Sequence, residues 1–345
     1  MEEELKSFVK VWVLAIAFLC YSYYIAAKIP KGFLRLLSLL PVISLFLFLP
    51  MNLSSYSYIL ATSLFLSWYA NFKLLLLSFD HGPLSPPPPQ LLHFICIASL
   101  PIKIKRYPSQ DKSQTSFLGT IILAMKVAIT IMLFEAYNYG KHLNTNIVLA
   151  LFPIHFLFET ECLYAVFQIP PKFLFGFELE PQFNEPLLAN SLQDFWGRRW
   201  NLMSSDLLRH LIYNPVRRIS KRIIGDRWKS LPAILGTFFV SGLMHEVLYY
   251  HLTHLPPTWE ATCFFVMHGI WVDVEIVMKK KKVKLIGRKR QFLINVISRL
   301  LVLGFLLVTS IWILFAPWLR NGIYEKVYIE YSPVINFAKG VLHIH

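Results

Sequence analysis

Apolar residues in this chain come in long runs broken by short polar stretches. The runs are longer than a soluble helix or strand needs. A bilayer core is about 30 Å thick, and a helix needs about 20 apolar residues to cross it. Runs near that length occupy residues 8–27, 34–50, 57–79, 118–137, 146–168, 232–252, 262–279 and 292–317, and each predicts a transmembrane helix. Pro89–Leu100 is apolar but has only 12 residues, which suits a re-entrant or interfacial segment better than a crossing. The pattern predicts eight spans, or nine if that stretch crosses. The alternation of barrel strands is not visible.

The expected fold class is therefore all-α, a polytopic helical membrane protein. Residues 1–345 read as a single integral-membrane domain, because helices in a bilayer pack as one bundle. Residues 1–80 form a three-span N-terminal part and residues 118–317 the core. Pro83-Leu84-Ser85-Pro86-Pro87-Pro88-Pro89 follows the N-terminal part as a stiff, extended linker. Residues 169–231 lie between two core spans, and 63 residues are too many for a simple connection. Pro170, Pro171, Pro181, Pro186 and Pro215 punctuate this segment. Residues 190–212 within it read as an amphipathic helix, capped by Asn190 or Ser191 and with Asp194 in its first turn. At helical spacing Asp194, Gly197, Arg198 and Asn201 share one face, while Phe195, Trp196 and Trp200 cluster elsewhere. An interfacial helix with tryptophans at headgroup depth fits this pattern.

Composition agrees, with 55% hydrophobic residues and a mean hydropathy of +0.50. The net charge of +14 changes the picture more. In a soluble chain it would point to nucleic acid. Here the cations sit in loops between apolar runs, as cytoplasmic loops facing anionic lipid do, so no nucleic-acid partner is expected. Residues 279–290 hold eight Lys and Arg and are expected in the cytosol, together with loops 169–231 and 101–117. If Pro89–Leu100 does not cross, the turn with Lys28, Lys31 and Arg35 is cytosolic too, and the nearly uncharged turns 51–56 and 253–261 and the acidic Glu2–Glu4 fall outside. A basic mouth would also suit a phosphate-bearing substrate such as a nucleotide thioester. Cys20, Cys96, Cys162 and Cys263 are scattered, with no CxxC, and read as small buried hydrophobes. The first run lacks a small-residue cleavage site and reads as a retained span. Val341–His345 is not a recognised retrieval signal.

The candidate chemistry lies in two places. His245 stands inside an apolar run, in Ser241-Gly242-Leu243-Met244-His245-Glu246. An ionisable side chain at membrane depth is a functional-site hypothesis by default. An imidazole suits a general base that takes a proton from a hydroxyl. Ser241 and Gly242 stand one turn earlier on the same face and leave room for another helix or a substrate to approach. The second place is Asp194-Phe195-Trp196-Gly197-Arg198-Arg199-Trp200-Asn201. The Asn201 carboxamide can donate to a developing oxyanion, and Arg198 and Arg199 can pair with phosphates. The bland alternatives are an interhelical histidine, a capping amide and a solvated arginine pair. Glu159 and Glu161 lie deep enough to need a basic partner. The spacings of His245, His251, His254 and His268 do not make the dense histidine boxes of a membrane di-iron site, so no metal is expected.

Phe177-Glu178-Leu179-Glu180-Pro181-Gln182-Phe183-Asn184-Glu185-Pro186, then Ser191 to Asn201, then Ser241 to Glu246, resemble the plant wax synthase family. These are long-chain-alcohol O-fatty-acyltransferases within the membrane-bound O-acyltransferase superfamily. Ala70-Asn71-Phe72-Lys73-Leu74-Leu75-Leu76 and Gly82-Pro83-Leu84 extend the resemblance over nearly the whole chain. It implies tilted helices around an internal tunnel, and acyl transfer from acyl-CoA to a long-chain alcohol, with a sterol as the rival acceptor. It further implies His245 as general base and Asn201 on the acyl group or oxyanion. Asp194, Trp196, Arg198, Arg199, Trp200, Ser241 and Gly242 would then contribute to substrate binding. No cofactor is required, since acyl-CoA is a substrate. An endoplasmic-reticulum membrane is the implied location. Gly197-Arg198-Arg199, set between two tryptophans, departs from the similar FYxDWWN motif of mammalian sterol and diacylglycerol acyltransferases. A transporter is the rival from another class, although paired repeats are absent.

Overall fold

The computed structural model describes residues 2–105, 114–138, 145–279, 288–323, 325–327, 329–330 and 332. Among the described residues, seven helices are long and apolar enough to cross a membrane: Glu2–Lys28, Phe33–Asn52, Tyr56–Ser78, Ala150–Phe175, Ser230–Thr253, Glu260–Lys279 and Ile294–Leu314. They coincide with seven of the eight expected spans. The eighth falls on helix Gln114–Asn138, within which Gly119–Phe134 is a shorter apolar stretch. Pro89–Leu100 forms only the helix Leu91–Ser99. Nine residues rise about 14 Å, under half the thickness of a bilayer core, so this helix does not cross alone. Most of the basic loop 279–290, part of loop 101–117, and Val341–His345 lie outside the described residues.

The chain divides into two compact units, residues 104–180 with 306–345, and residues 1–103 with 181–305. In the first, α6 (Gln114–Asn138) and α7 (Thr145–Phe175) are joined by Lys126 Nζ and Glu161 Oε2 at 2.6 Å. Glu161 is buried, and the pair supplies the basic partner expected for it. Glu159 is half-buried. Phe152 and Phe156 meet Phe315 edge-on in the same unit.

The second unit is built around residues 56–78. Here α3 (Tyr56–Thr62) passes into a π-helical turn, Ser63–Ala70, and then into α4 (Asn71–Ser78). This span is far more enclosed by protein than the other six. Several of its polar side chains hydrogen-bond to neighbouring segments, as buried polar groups in a dry core tend to. Ser67 Oγ donates to Phe46 O at 2.7 Å and Asn71 Nδ2 to Ile43 O at 3.1 Å, fastening α2 (Phe33–Phe48), the helix that follows α1 (Glu2–Tyr24). Lys73, fully buried, donates to the carbonyls of Ile97 and Leu100, both at 2.6 Å. These carbonyls end α5 (Leu91–Ser99), where the helix leaves acceptors unsatisfied and its dipole favours a cation. Just past the span, Arg35 donates to Asp80 Oδ1 at 2.5 Å. That hydrogen bond holds the exposed Asp80 carboxyl below its ordinary range.

Candidate active site

His245 sits on α11 (Ser230–Thr253), which packs against α12 (Glu260–Lys279). Glycines make the approach possible. A Cβ at position 242 would stand 2.6 Å from Thr262 Cα, and one at 269 would stand 3.0 Å from Phe238 Cβ. Small residues let membrane helices come this close. Of the two occupants foreseen for the space beside Gly242, the structure places a helix there. Gly242→Ala is expected to force the pair apart at a destabilising cost of about 1–3 kcal/mol, measured as a lower thermal midpoint in detergent. An unchanged midpoint would contradict this packing. Buried Glu246, the next residue but three, accepts from Thr262 N at 3.0 Å and so satisfies one of the free N–H groups at the start of α12.

The half-buried His245 ring lies between two aromatic side chains. Trp68 meets it edge-on at 5.0 Å and Phe265 lies 4.3 Å away, centroid to centroid. His245 Nδ1 is 2.7 Å from Ser241 O. A carbonyl oxygen only accepts, so Nδ1 carries the proton. In the neutral ring Nε2 is then the atom with a lone pair to offer. Ser241 thus contributes its backbone carbonyl, which fixes the tautomer.

The aromatic tract does not form the single helix expected over 190–212. It runs through α8 (Leu192–Asp194), a π turn (Phe195–Arg199), extended Trp200, left-handed Asn201 (φ 40°), α9 (Leu202–Leu208) and a second π turn (Arg209–Tyr213). The physical reason is a second start signal inside the expected helix. Asn201 Oδ1 accepts from Ser204 N at 3.1 Å and caps α9. Asparagine tolerates the left-handed region and makes a strong N-cap. Asp194 and Asn201 are therefore not on one continuous helical face.

α12 is the template for this tract. Glu275 accepts from the N–H groups of Leu192 and Gln193 at 2.9 and 3.1 Å. Lys279 donates to Ser191 Oγ at 3.2 Å. Trp196 Nε1 donates to Nδ1 of the fully buried His268 at 3.1 Å, and the Trp196 ring lies 5.5 Å from Phe265. Phe265 therefore touches both Trp196 and His245. From the other side, Leu202 N donates to Gln182 O, and Asn184 N to Arg199 O.

Six of the nine candidate residues fall into three pairs. His245 and Asn201 are both reached by adjacent residues of the π turn in the central span, Trp68 on His245 and Tyr69 Oη on Asn201 Oδ1 at 3.2 Å. Trp196 and Trp200 pack into an aromatic cluster, with Trp200 nearly parallel to Phe195 at 5.7 Å. Asp194 and Arg199 pair with each other at 2.7 Å, and Arg199 also donates to the carbonyls of Asn184 and Glu185. Those contacts hold the fold of the tract, whereas Arg198 and Gly197 are exposed. A further basic feature, along α10 (Asn214–Trp228), is a depression of about 240 Å³ lined by Asn214, Arg217, Arg218, Lys221 and Lys229. His251, one of the residues weighed for metal, is hydrogen-bonded through both ring nitrogens, to Ser63 Oγ and Leu47 O, each at 2.9 Å.

Sequence reasoning missed Trp68, Tyr69, Phe265 and the template role of His268 and Glu275. For the last two, an ionisable group in an apolar run was the available signal.

The family model described as "Membrane bound O-acyl transferase family" matches residues 179–267. "Probable long-chain-alcohol O-fatty-acyltransferase 1" of Arabidopsis thaliana is 44% identical over 342 residues, 98% of each chain. "Long-chain-alcohol O-fatty-acyltransferase" of Simmondsia chinensis is 43% identical over 349 aligned residues, covering 99% of this chain and 98% of its own. This chain belongs to the membrane-bound O-acyl transferase family. The stretch matched in this O-acyltransferase contains all nine candidate site residues. Trp68 and Tyr69, which reach two of them, come from outside it.

Proposed function

We propose that this O-acyltransferase joins the acyl group of acyl-CoA to a long-chain primary alcohol and makes a wax ester, in the endoplasmic-reticulum membrane. The observation that carries the reading is the full-length likeness to long-chain-alcohol O-fatty-acyltransferases. The tautomer of His245 supports it. The alcohol donates its O–H to His245 Nε2 as its oxygen attacks the thioester carbonyl. Asn201 Nδ2 donates to the oxyanion that develops. The tetrahedral adduct collapses, the C–S bond breaks, and the imidazolium returns the proton to the departing CoA thiolate. One alcohol and one acyl-CoA give one ester and one CoA, with no covalent acyl-enzyme. Arg198 and the basic depression suit the phosphates of CoA.

Competition between hexadecanol and a plant sterol at equal concentration, with palmitoyl-CoA as donor, tests the acceptor. The account predicts a higher kcat/KM for hexadecanol. A higher value for the sterol would replace the wax-ester reading and leave the acyl-transfer steps in place.

A further inference from the structure

We propose that Tyr69 is a positioning residue that fixes the Asn201 carboxamide with its donor end toward the substrate. This rests on the role given to Asn201 above and adds a residue from a different part of the chain.

The argument begins with which way the amide faces. Asn201 Oδ1 and Nδ2 are alike in size, so their assignment needs a partner that can act in only one sense. Ser204 N is such a partner, because a backbone N–H only donates. It points at the side chain of Asn201 at 3.1 Å, so the atom facing it is the oxygen. The same oxygen accepts from Tyr69 Oη at 3.2 Å.

Tyr69 Oη also lies 3.1 Å from Ser204 Oγ. A phenol has one proton, and that proton goes to Asn201 Oδ1. The Ser204 hydroxyl must therefore donate to Tyr69 Oη. The result is a closed ring of three residues: Ser204 Oγ to Tyr69 Oη, Tyr69 Oη to Asn201 Oδ1, and Ser204 N to the same Oδ1. Two donors on Oδ1 fix the rotation of the amide and commit Nδ2 to the opposite side, as a donor.

Tyr69 is well held for this task. Its side chain is fully buried. The Trp68 ring lies at 19° to it with centroids 6.1 Å apart, and Lys73 Nζ stands 5.7 Å from its centroid. Lys73 is itself anchored on two carbonyls. The phenol thus sits in a π-helical turn whose preceding residue, Trp68, touches His245. π-helical turns inside α-helices often mark functional sites. Here the turn gives adjacent residues to the two candidate reacting groups, one ring to the base and one hydroxyl to the amide.

The test is a double-mutant cycle on the full chain in detergent or nanodiscs, with palmitoyl-CoA and hexadecanol. Tyr69→Phe keeps the ring and removes the hydroxyl. It is expected to lower kcat about tenfold, the scale of one hydrogen bond to a positioned group, with both KM values within about twofold. Asn201→Asp keeps an oxygen for the cap and removes the Nδ2 donor. In that background Tyr69→Phe is expected to cost nothing further, because the residue it acts through no longer donates. Ser204→Ala, which removes the hydroxyl that donates to Tyr69, is expected to lower kcat by a few-fold and serves if Tyr69→Phe folds poorly.

An equal loss in both backgrounds, or a loss that tracks a lower thermal midpoint, would make Tyr69 a structural residue and overturn the proposal. Wild-type kcat in Tyr69→Phe beside an impaired Asn201→Asp overturns it while leaving the role of Asn201 intact. Wild-type kcat in Asn201→Asp overturns both.

Discussion

Replacing His245 by alanine is expected to lower ester formation by about 10²–10⁴-fold, the usual contribution of a positioned general base. Such a loss should not come from misfolding. The imidazole's hydrogen bond is to a carbonyl of its own helix, and the packing of α11 on α12 is set by Gly242, Gly269 and Glu246 instead. His245→Gln, which refills part of the space between Trp68 and Phe265, should be equally inactive because an amide cannot take the proton. The measurement is labelled ester from palmitoyl-CoA and hexadecanol at matched protein abundance in membranes. Normal abundance with most of the wild-type activity would remove His245 from the chemistry.

The second large effect is expected at Asn201. Alanine there is a poor probe. It loses the N-cap of α9, costing about 0.5–2 kcal/mol, and places a Cβ-bearing residue without a local hydrogen bond in the left-handed region. Aspartate is the sharper substitution, since it caps as well as asparagine and accepts from Ser204 N and Tyr69 Oη. It lacks the amide donor, and its charge opposes an oxyanion. A fall in kcat of roughly 10²-fold or more is expected if the donor serves the transition state. An effect confined to the acyl-CoA KM would place Asn201 in ground-state binding instead. A normal thermal midpoint for Asn201→Asp beside a lowered one for Asn201→Ala would separate the cap from the chemistry.

The spans were legible because a bilayer demands unbroken apolar length, and residues 232–252 or 262–279 satisfy that demand without reference to any neighbour. The short helix Leu91–Ser99 was legible for the converse reason, being too short to cross. His245 was conspicuous as an ionisable group inside such a run. The path of residues 190–212 was not legible. Helical periodicity continues through Trp200 and Asn201, and only the competing cap onto Ser204 N breaks it. The split between Arg198 and Arg199 was hidden as well. Two adjacent arginines look alike until Asp194 and the carbonyls of Asn184 and Glu185 claim one of them. Trp68 and Tyr69 were out of reach for two reasons. The π turn shifts the helical register that decides which side chains face the interior. Their partners also lie more than 130 residues away, and one sequence carries no trace of such a pairing.

Direct transfer to the alcohol is the central claim, and CoA release from palmitoyl-CoA by the purified chain, with and without hexadecanol, tests it most directly. The account predicts that CoA appears only when hexadecanol is present, matches hexadecyl palmitate one to one, and is lost in His245→Ala. Release of CoA without alcohol, with the palmitoyl group left on the protein, would contradict direct attack assisted by His245.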